Sequence, residues 1–348
     1  MQRSAAYQMM YCIVGHPSRP EPLNPRAFKA FQPLEKPTAY ACRSPGISQY
    51  PERAATTAFV GKGPALPPEE NSRHDLFLRA VAPASSAAPA PRAVMVFAHQ
   101  DDEVVALGAR LGKFGSAHLV HVTDGAPRNE QDSRRHGFST PAEYHKAREN
   151  ELADVLRAAG LGNVSRECLR VPDQEASFTL AALTRTIERI LRQHRPEVVF
   201  THPYEGGHPD HDACAFAVHH AVELRPIPER PLIVEGTFYH AGPRGHQTGS
   251  FLAAEHPVSC TEFRLTPEER RRKQSLLDLF TTQRETLRGF PLEYERFRIA
   301  PHYDFHSPPH APPVLYDNYP WGMTSHEFVE LAREAEAMLS KRVLAECH

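Results

Sequence analysis

The 348-residue chain is long enough for one large domain or two small ones and for a sizeable buried core. Its 40 basic and 42 acidic side chains leave a formal charge of -2, which provides no electrostatic footprint for nucleic acid or an anionic membrane surface. No apolar run approaches the ~18 residues of a membrane span, no signal-peptide core opens the chain, and the six cysteines show no C-x-x-C pairing. A soluble cytoplasmic protein with reduced thiols is expected, with neither a nucleic-acid partner nor a membrane span.

Residues 1–91 are rich in proline, Pro17, Pro20, Pro22, Pro25, Pro64, Pro67 and Pro68 among them, and Pro83–Pro91 has linker composition. This stretch reads as a mostly disordered tail with one short helix around His74–Ala82 and no core to join, so a chain starting near Ser86 should still fold. The domain proper is expected over 92–348. It opens on Ala93–Ala98, a continuous apolar run suited to a strand buried on both faces. A helical segment at Glu103–Phe114 follows, then a strand at Ala117–Thr123 stopped by Asp124-Gly125. Pro141–Ala159 is a long amphipathic helix, Leu169–Val171 a short strand and Leu180–His194 another helix. Glu197–Thr201 is a strand, Asp210–Leu224 a helix and Leu232–Tyr239 a strand again. Such alternation implies right-handed crossovers and a parallel sheet covered on both faces. An extension from about residue 262 adds a charged helix at Pro267–Phe280, a loop region rich in proline and aromatics, and a last helix near Ser325–Lys341.

Ligands of open parallel sheets bind beyond the carboxyl ends of the strands. The first such end carries His99-Gln100-Asp101-Asp102-Glu103 where a dinucleotide fold would need G-x-G-x-x-G. Three carboxylates beside an imidazole in five residues repel one another when buried unless a cation or a proton intervenes, and a divalent metal is the economical answer. The end of the strand at Glu197–Thr201 carries Thr201-His202-Pro203-Tyr204-Glu205-Gly206-Gly207-His208-Pro209-Asp210-His211. Catalytic zinc takes three ligands from His, Asp and Glu and keeps one position open; His99, Asp102 and His211 would complete such a set. His208 is then left over, with Asp210 near enough in sequence to orient it. A solvated acidic helix start and a polar capping loop are the plain alternatives, but two such clusters on one sheet favour a site.

Both motifs resemble those of the PIG-L/LmbE family of zinc-dependent de-N-acetylases, A-H-P-D-D-E and H-P-D-H. Glutamine replaces proline in Ala98-His99-Gln100-Asp101-Asp102-Glu103, while His208-Pro209-Asp210-His211 matches in full. Thr123-Asp124-Gly125, Arg148 with Glu151-Leu152, and Pro172-Asp173 look like further family segments, and the likeness spans about Ala93–Tyr239, continuing weakly through Lys273 and Gln283. The resemblance implies a Rossmann-like, mostly parallel α/β sheet with helices on both faces. It implies His99, Asp102 and His211 as ligands of Zn2+ or another divalent first-row metal, and Asp101 as general base. It also implies protonated His208 as the partner of the oxyanion, Asp210 as its support, and Arg148 and Asp173 as substrate contacts. The activity implied is hydrolysis of an N-acyl amide, N-acetyl in the first instance, on a small amino-sugar or glycoconjugate substrate. Some members place a tyrosine two residues before the first histidine of H-P-D-H; here that position is Gly206, with Tyr204 out of register. An amidase acting on a thiol conjugate or other N-acyl compound and a non-catalytic carbohydrate-binding relative are the competing readings. Asp101 argues against the latter, since a relic site has no reason to keep the base.

Overall fold

The computed structural model describes residues 68–346, apart from 84, 85, 87, 244 and 253–257; the expected tail over 1–67 lies outside the described residues. The short helix foreseen near His74–Ala82 is α1, Pro68–Val81. It is no part of an idle tail: Phe77, Ala80 and Val81 are buried in the core. Arg110 Nε donates to the Val81 carbonyl at 2.7 Å, and Lys113 Nζ donates to the carbonyls of Arg79 and Ala82. The expectation that residues up to 85 join no core is corrected by these contacts. Three apolar side chains one helical turn apart suffice to dock a helix whose overall composition is polar.

β1 (Ala93–Phe97), β2 (His118–Thr123), β3 (Ser165–Val171), β4 (Val198–Thr201) and β5 (Leu232–Gly236) pair in parallel, in the order β3-β2-β1-β4-β5. The chain builds outward from β1 to β3, then returns across the sheet to start β4 on the other side of β1. That return makes the β1/β4 junction the switch point, where two neighbouring strands send their following loops in opposite directions and open a crevice. β1 shows why the strands read as unbroken apolar runs. Val94 and Val96 enter one core layer with α5 (Leu180–His194), α6 (Pro209–Glu223) and α9 (Ser325–Glu346). Ala93, Met95 and Phe97 enter the opposite layer with α1, α2 (Asp102–Leu107), α4 (Pro141–Ala158) and α7 (Pro267–Leu277). Alternate side chains serve alternate layers, so both phases must be apolar. Short helices α3 (Gln131–Arg135) and α8 (Arg284–Leu287) lie in the connections.

Beyond β5 the structure departs from the expected elements. The strand foreseen to Tyr239 stops at Gly236; Tyr239–Gly242 (β6) and Gly245–Thr248 (β7) form a separate hairpin. The expected loop region also holds a strand. β9 (Tyr294–Ile299) pairs antiparallel with β5, and β8 (Thr261–Arg264) pairs with β9 to finish a seven-stranded sheet. Charge concealed β9 in the sequence, because Glu295 and Arg298 are buried within it. Each is compensated: Glu295 is ion-paired with Arg110 and, at 3.1 Å, with Lys273, and Arg298 donates to Glu235 at 2.7 Å. No described helix is long and apolar enough to cross a membrane.

Candidate active site

The crevice at the switch point is a cavity of about 410 Å3, and it contains every residue singled out from the two motifs except Asp210, which lies just behind it. His99 follows β1 directly. Asp101 caps α2, and Asp102 is its first residue. His208 caps α6, its Nδ1 accepting from the Asp210 N–H at 3.2 Å, and Pro209 fills the first turn, where a missing N–H costs nothing. His211 lies one turn further on. Asp173 stands just beyond β3, and Arg148 reaches in from α4.

His99, Asp102 and His211 each bring one donor atom within 4.8 Å of the other two, all three side chains being buried. Asp102 Oδ1 is 3.5 Å from His211 Nε2, and its Oδ2 is 3.4 Å from His99 Nδ1 and accepts from the His99 N–H at 2.7 Å. Burial pushes the Asp102 pKa up, but the facing imidazoles of His211 and His202 prevail and hold it well below the usual carboxylate range. His211 Nε2 is buried with no hydrogen-bond partner, a state that costs free energy unless something accepts its lone pair or proton. A second set overlaps the first through His99: its Nε2 is 3.2 Å from Asp173 Oδ1 and 3.4 Å from Asp210 Oδ2, with His208 beside them. The atoms of this second set are already engaged. Asp210 accepts from the N–H groups of Gln174 at 2.7 Å and Ala176 at 3.0 Å, and His208 Nδ1 is committed to its capping bond.

Asp101 points elsewhere than its neighbour. Its Oδ2 accepts from Arg148 Nη2 at 3.2 Å. Burial pushes the Asp101 carboxyl up to about 8, Arg148 opposing and Asp102 adding to the rise. Arg148 also donates from Nη1 to the Gly125 carbonyl at 2.9 Å and from Nη2 to the Gln100 carbonyl at 3.3 Å, so the guanidinium foreseen as a substrate contact already has three protein acceptors, while its buried Nε has none. Asp173, also foreseen as a substrate contact, lies between the imidazoles of His99 and His208, 3.2 Å and 4.0 Å away.

Two further expectations need correcting. The Asp210 carboxylate was expected to support His208, yet it is 3.9 Å from Nδ1 and faces His99; the backbone N–H of Asp210 makes the supporting bond instead. A protonated His208 was also expected. Burial and the neighbouring His99 and His211 hold its pKa well below the ordinary value, leaving a neutral ring that accepts at Nδ1 and carries its proton at Nε2.

Sequence reasoning passed over His202, although it stands in the same quoted stretch. Its ring stacks on His211 at 3.9 Å with 15° between planes, and Nε2 accepts from the Ala98 N–H at 3.0 Å. Burial, with His211 adding to it, pushes its pKa down to about 3, so it braces His211 as a neutral ring. Tyr239 was also passed over; it enters the cavity from β6, its ring 5.2 Å from that of His211. The Gly206-Gly207 turn explains how it arrives. Gly206 adopts φ +68°, and a Cβ there would meet Val314 at 2.7 Å; a Cβ at Gly207 would collide with the Tyr239 carbonyl. Gly207 therefore admits the β6 backbone to the site, and Gly206 the segment that carries Val314. Tyr204 faces away, donating to the Ser307 carbonyl at 2.9 Å within an aromatic cluster.

Residues 94–222 match the family model of GlcNAc-PI de-N-acetylase, PIG-L. Over 145 residues the chain is 31% identical to a probable N-acetyl-alpha-D-glucosaminyl L-malate deacetylase of Bacillus cereus, which covers 40% of this chain and 64% of that protein. Over 157 residues it is 29% identical to a 1D-myo-inositol 2-acetamido-2-deoxy-alpha-D-glucopyranoside deacetylase of Saccharopolyspora erythraea, covering 37% of this chain and 55% of that one. The chain thus spans between 55% and 64% of the length of these curated relatives. Among solved structures, a deacetylase of teicoplanin biosynthesis is 18% identical with a TM-score of 0.47, covering 60% of this chain and 96% of its own.

Proposed function

We propose, from the match of residues 94–222 to the PIG-L family model, that the protein hydrolyses the N-acetyl amide of an amino-sugar substrate with a zinc ion held by His99, Asp102 and His211. The observation that carries this reading is the division of labour between adjacent carboxylates: Asp102 faces two imidazoles, while Asp101 faces a guanidinium. The donor set suits the metal. Four carboxylates, those of Asp101, Asp102, Asp173 and Asp210, are buried here, only Asp101 and Asp173 facing Arg148, and the Nε2 of His211, without a hydrogen-bond partner, supplies a ready nitrogen donor. When bound, such an ion lowers the pKa of water and polarises an amide carbonyl.

Asp101 then takes the proton of the attacking water and returns it to the leaving nitrogen. A pKa near neutrality suits both halves of that task, and burial against Arg148 provides it. Arg148 fixes the carboxylate in place through its bond to Oδ2 while the Gly125 and Gln100 carbonyls hold the guanidinium itself. His208 Nε2–H and the Tyr239 hydroxyl are the neutral donors that line the cavity beside the ligand set, placed to receive the charge growing on the amide oxygen. Tyr239 so takes the place of the tyrosine that Gly206 leaves no room for.

The test is a zinc-reconstituted preparation assayed for amine release from a panel of N-acetylglucosamine derivatives, before and after a strong chelator. Release that stops on chelation and returns with zinc is expected. Undiminished turnover in metal-free protein, or no release from any N-acetyl amino sugar, would overturn the reading.

A further inference from the structure

The cavity changes character between floor and mouth. Its charged floor is built from residues within 94–222, while much of its mouth comes from 239–321, outside the family match, where aromatic and aliphatic side chains stand among polar ones such as His246, Gln283 and Thr286. Two rows of rings lead outward, each beginning on a histidine of the floor. In one, Trp321 lies 4.6 Å from His208 and stacks on Tyr319 at 4.5 Å with 11° between planes. In the other, Tyr239 lies 5.2 Å from His211 and 6.1 Å from Phe290. Leu287 and Leu315 add aliphatic surface, and the charged Arg135 and Glu285 at the rim are paired with each other at 2.7 Å.

The segment that carries the Trp321 row is tied down on either side of it without a ligand. The Leu315 N–H donates to the Gly206 carbonyl at 2.9 Å, and the Asp317 carboxylate accepts from the N–H groups of Val314 at 2.8 Å and Ser325 at 2.6 Å. Tyr319 nevertheless remains 43% exposed. Rings already in place beside a polar floor bind by removing apolar surface from water at little ordering cost. An unadorned amino sugar can stack one face on a single ring but leaves the rest of each row uncovered.

We propose that the substrate carries an apolar group beside its amino sugar and that this group lies between the two rows of rings. The proposal rests on the amide-hydrolase reading of the floor. An aryl or alkyl aglycone and a bulky acyl substituent would present the same chemistry to the mouth. Trp321 is the one tryptophan in the sequence, so the intrinsic emission of the full chain reports on this wall without any turnover.

The full-length protein is titrated with the methyl and phenyl glycosides of N-acetylglucosamine and with the methyl glycoside of N-benzoylglucosamine, following tryptophan emission, and each is then assayed for amine release. At least one aryl compound is expected to bind ~10-fold or more tightly than the plain methyl glycoside and to shift the emission. The compound that does so shows whether the apolar group belongs to the aglycone or to the acyl side. Phe290→Ala, half-buried at the rim, is expected to reduce the aryl-to-methyl affinity ratio at least ~3-fold. Equal affinities with unchanged emission overturn the proposal even if all three compounds are hydrolysed. An emission shift and aryl preference without hydrolysis of any compound uphold the subsite and overturn the catalytic reading instead.

Discussion

The carboxylate of Asp101 lies 3.2 Å from the guanidinium of Arg148, whereas the next residue along the chain, Asp102, has its carboxylate turned to the imidazoles of His99 and His211. Two chemically identical side chains thus have different partners, and substitution should separate them. Asp102→Asn should lose zinc and activity together, with excess metal giving partial recovery. Asp101→Asn should keep its zinc and lose ~10²–10⁴-fold in kcat, with no recovery on adding metal. Zinc per chain and turnover measured on the same preparations decide between the two roles. Loss of metal from Asp101→Asn alone would exchange the assignments.

Arg148 should tune the acid limb of the rate profile. Its guanidinium opposes the burial that raises the Asp101 pKa, so weakening the pair lets that pKa rise further. The basic form of Asp101 then requires a higher pH. In Arg148→Lys the acid limb of kcat/KM should move to higher pH than in the parent, because an ammonium cannot reproduce the planar fork that also holds the Gly125 and Gln100 carbonyls. Zinc content should be unchanged. An acid limb that stays put would remove Arg148 from the proton-transfer step.

How much of this was legible in the sequence depended on distance along the chain. His99, Asp101, Asp102, His208 and His211 stand in two short runs at strand ends, and the local period of strand and helix was enough to bring them together. Arg148 and Asp173 came only through resemblance, because their contacts with Asp101 and His99 span 47 and 74 positions. Tyr239 was hidden for a different reason. It was counted into a strand that stops three residues earlier, and its approach depends on the missing side chain of Gly207, far from it in the sequence. β9 was lost to its own charges, since Glu295 and Arg298 look solvated until Lys273, Arg110 and Glu235 are placed around them.

Helix α1 should be required for stability. Phe77 is 3% exposed, and truncating a buried phenylalanine costs about 3–5 kcal/mol. Phe77→Ala should lower Tm by roughly 6 °C or more, taking about 2 °C per kcal/mol for a domain of this size. A chain starting at Ser86 should fare worse, since it also strips Arg110 and Lys113 of their carbonyl partners. Thermal unfolding of the two variants beside a chain starting at Gly63 tests this; equal Tm values would show that α1 rests on the surface without supporting it.

Glu205 should make stability fall as pH rises. Burial pushes its carboxyl up to about 8, with Arg298 opposing, against an ordinary value of about 4.3. An acid whose folded pKa lies above its unfolded one favours the fold while protonated, and that contribution is lost as pH climbs through the window between those values. Glu205→Gln keeps an acceptor for the Leu252 N–H, bonded to Oε1 at 2.7 Å, and cannot ionise. Its Tm relative to the parent should therefore improve steadily from pH 5 to about pH 8. A constant difference across that window would show that Glu205 does not titrate with folding.

The bond from the Leu315 N–H to the Gly206 carbonyl, with the Val314 side chain seated where a Cβ at 206 would stand, has a consequence for how such a protein can diverge. The C-terminal segment is not an interchangeable cover. It is keyed to a bare position in the very turn that presents His208. Transplanting residues 301–321 onto a homologue bearing a tyrosine at that position would produce a steric clash, and restoring a side chain here would evict the segment. A side chain at 206 would therefore demand a change at Val314, which ties the shape of the cavity mouth to the turn that presents His208.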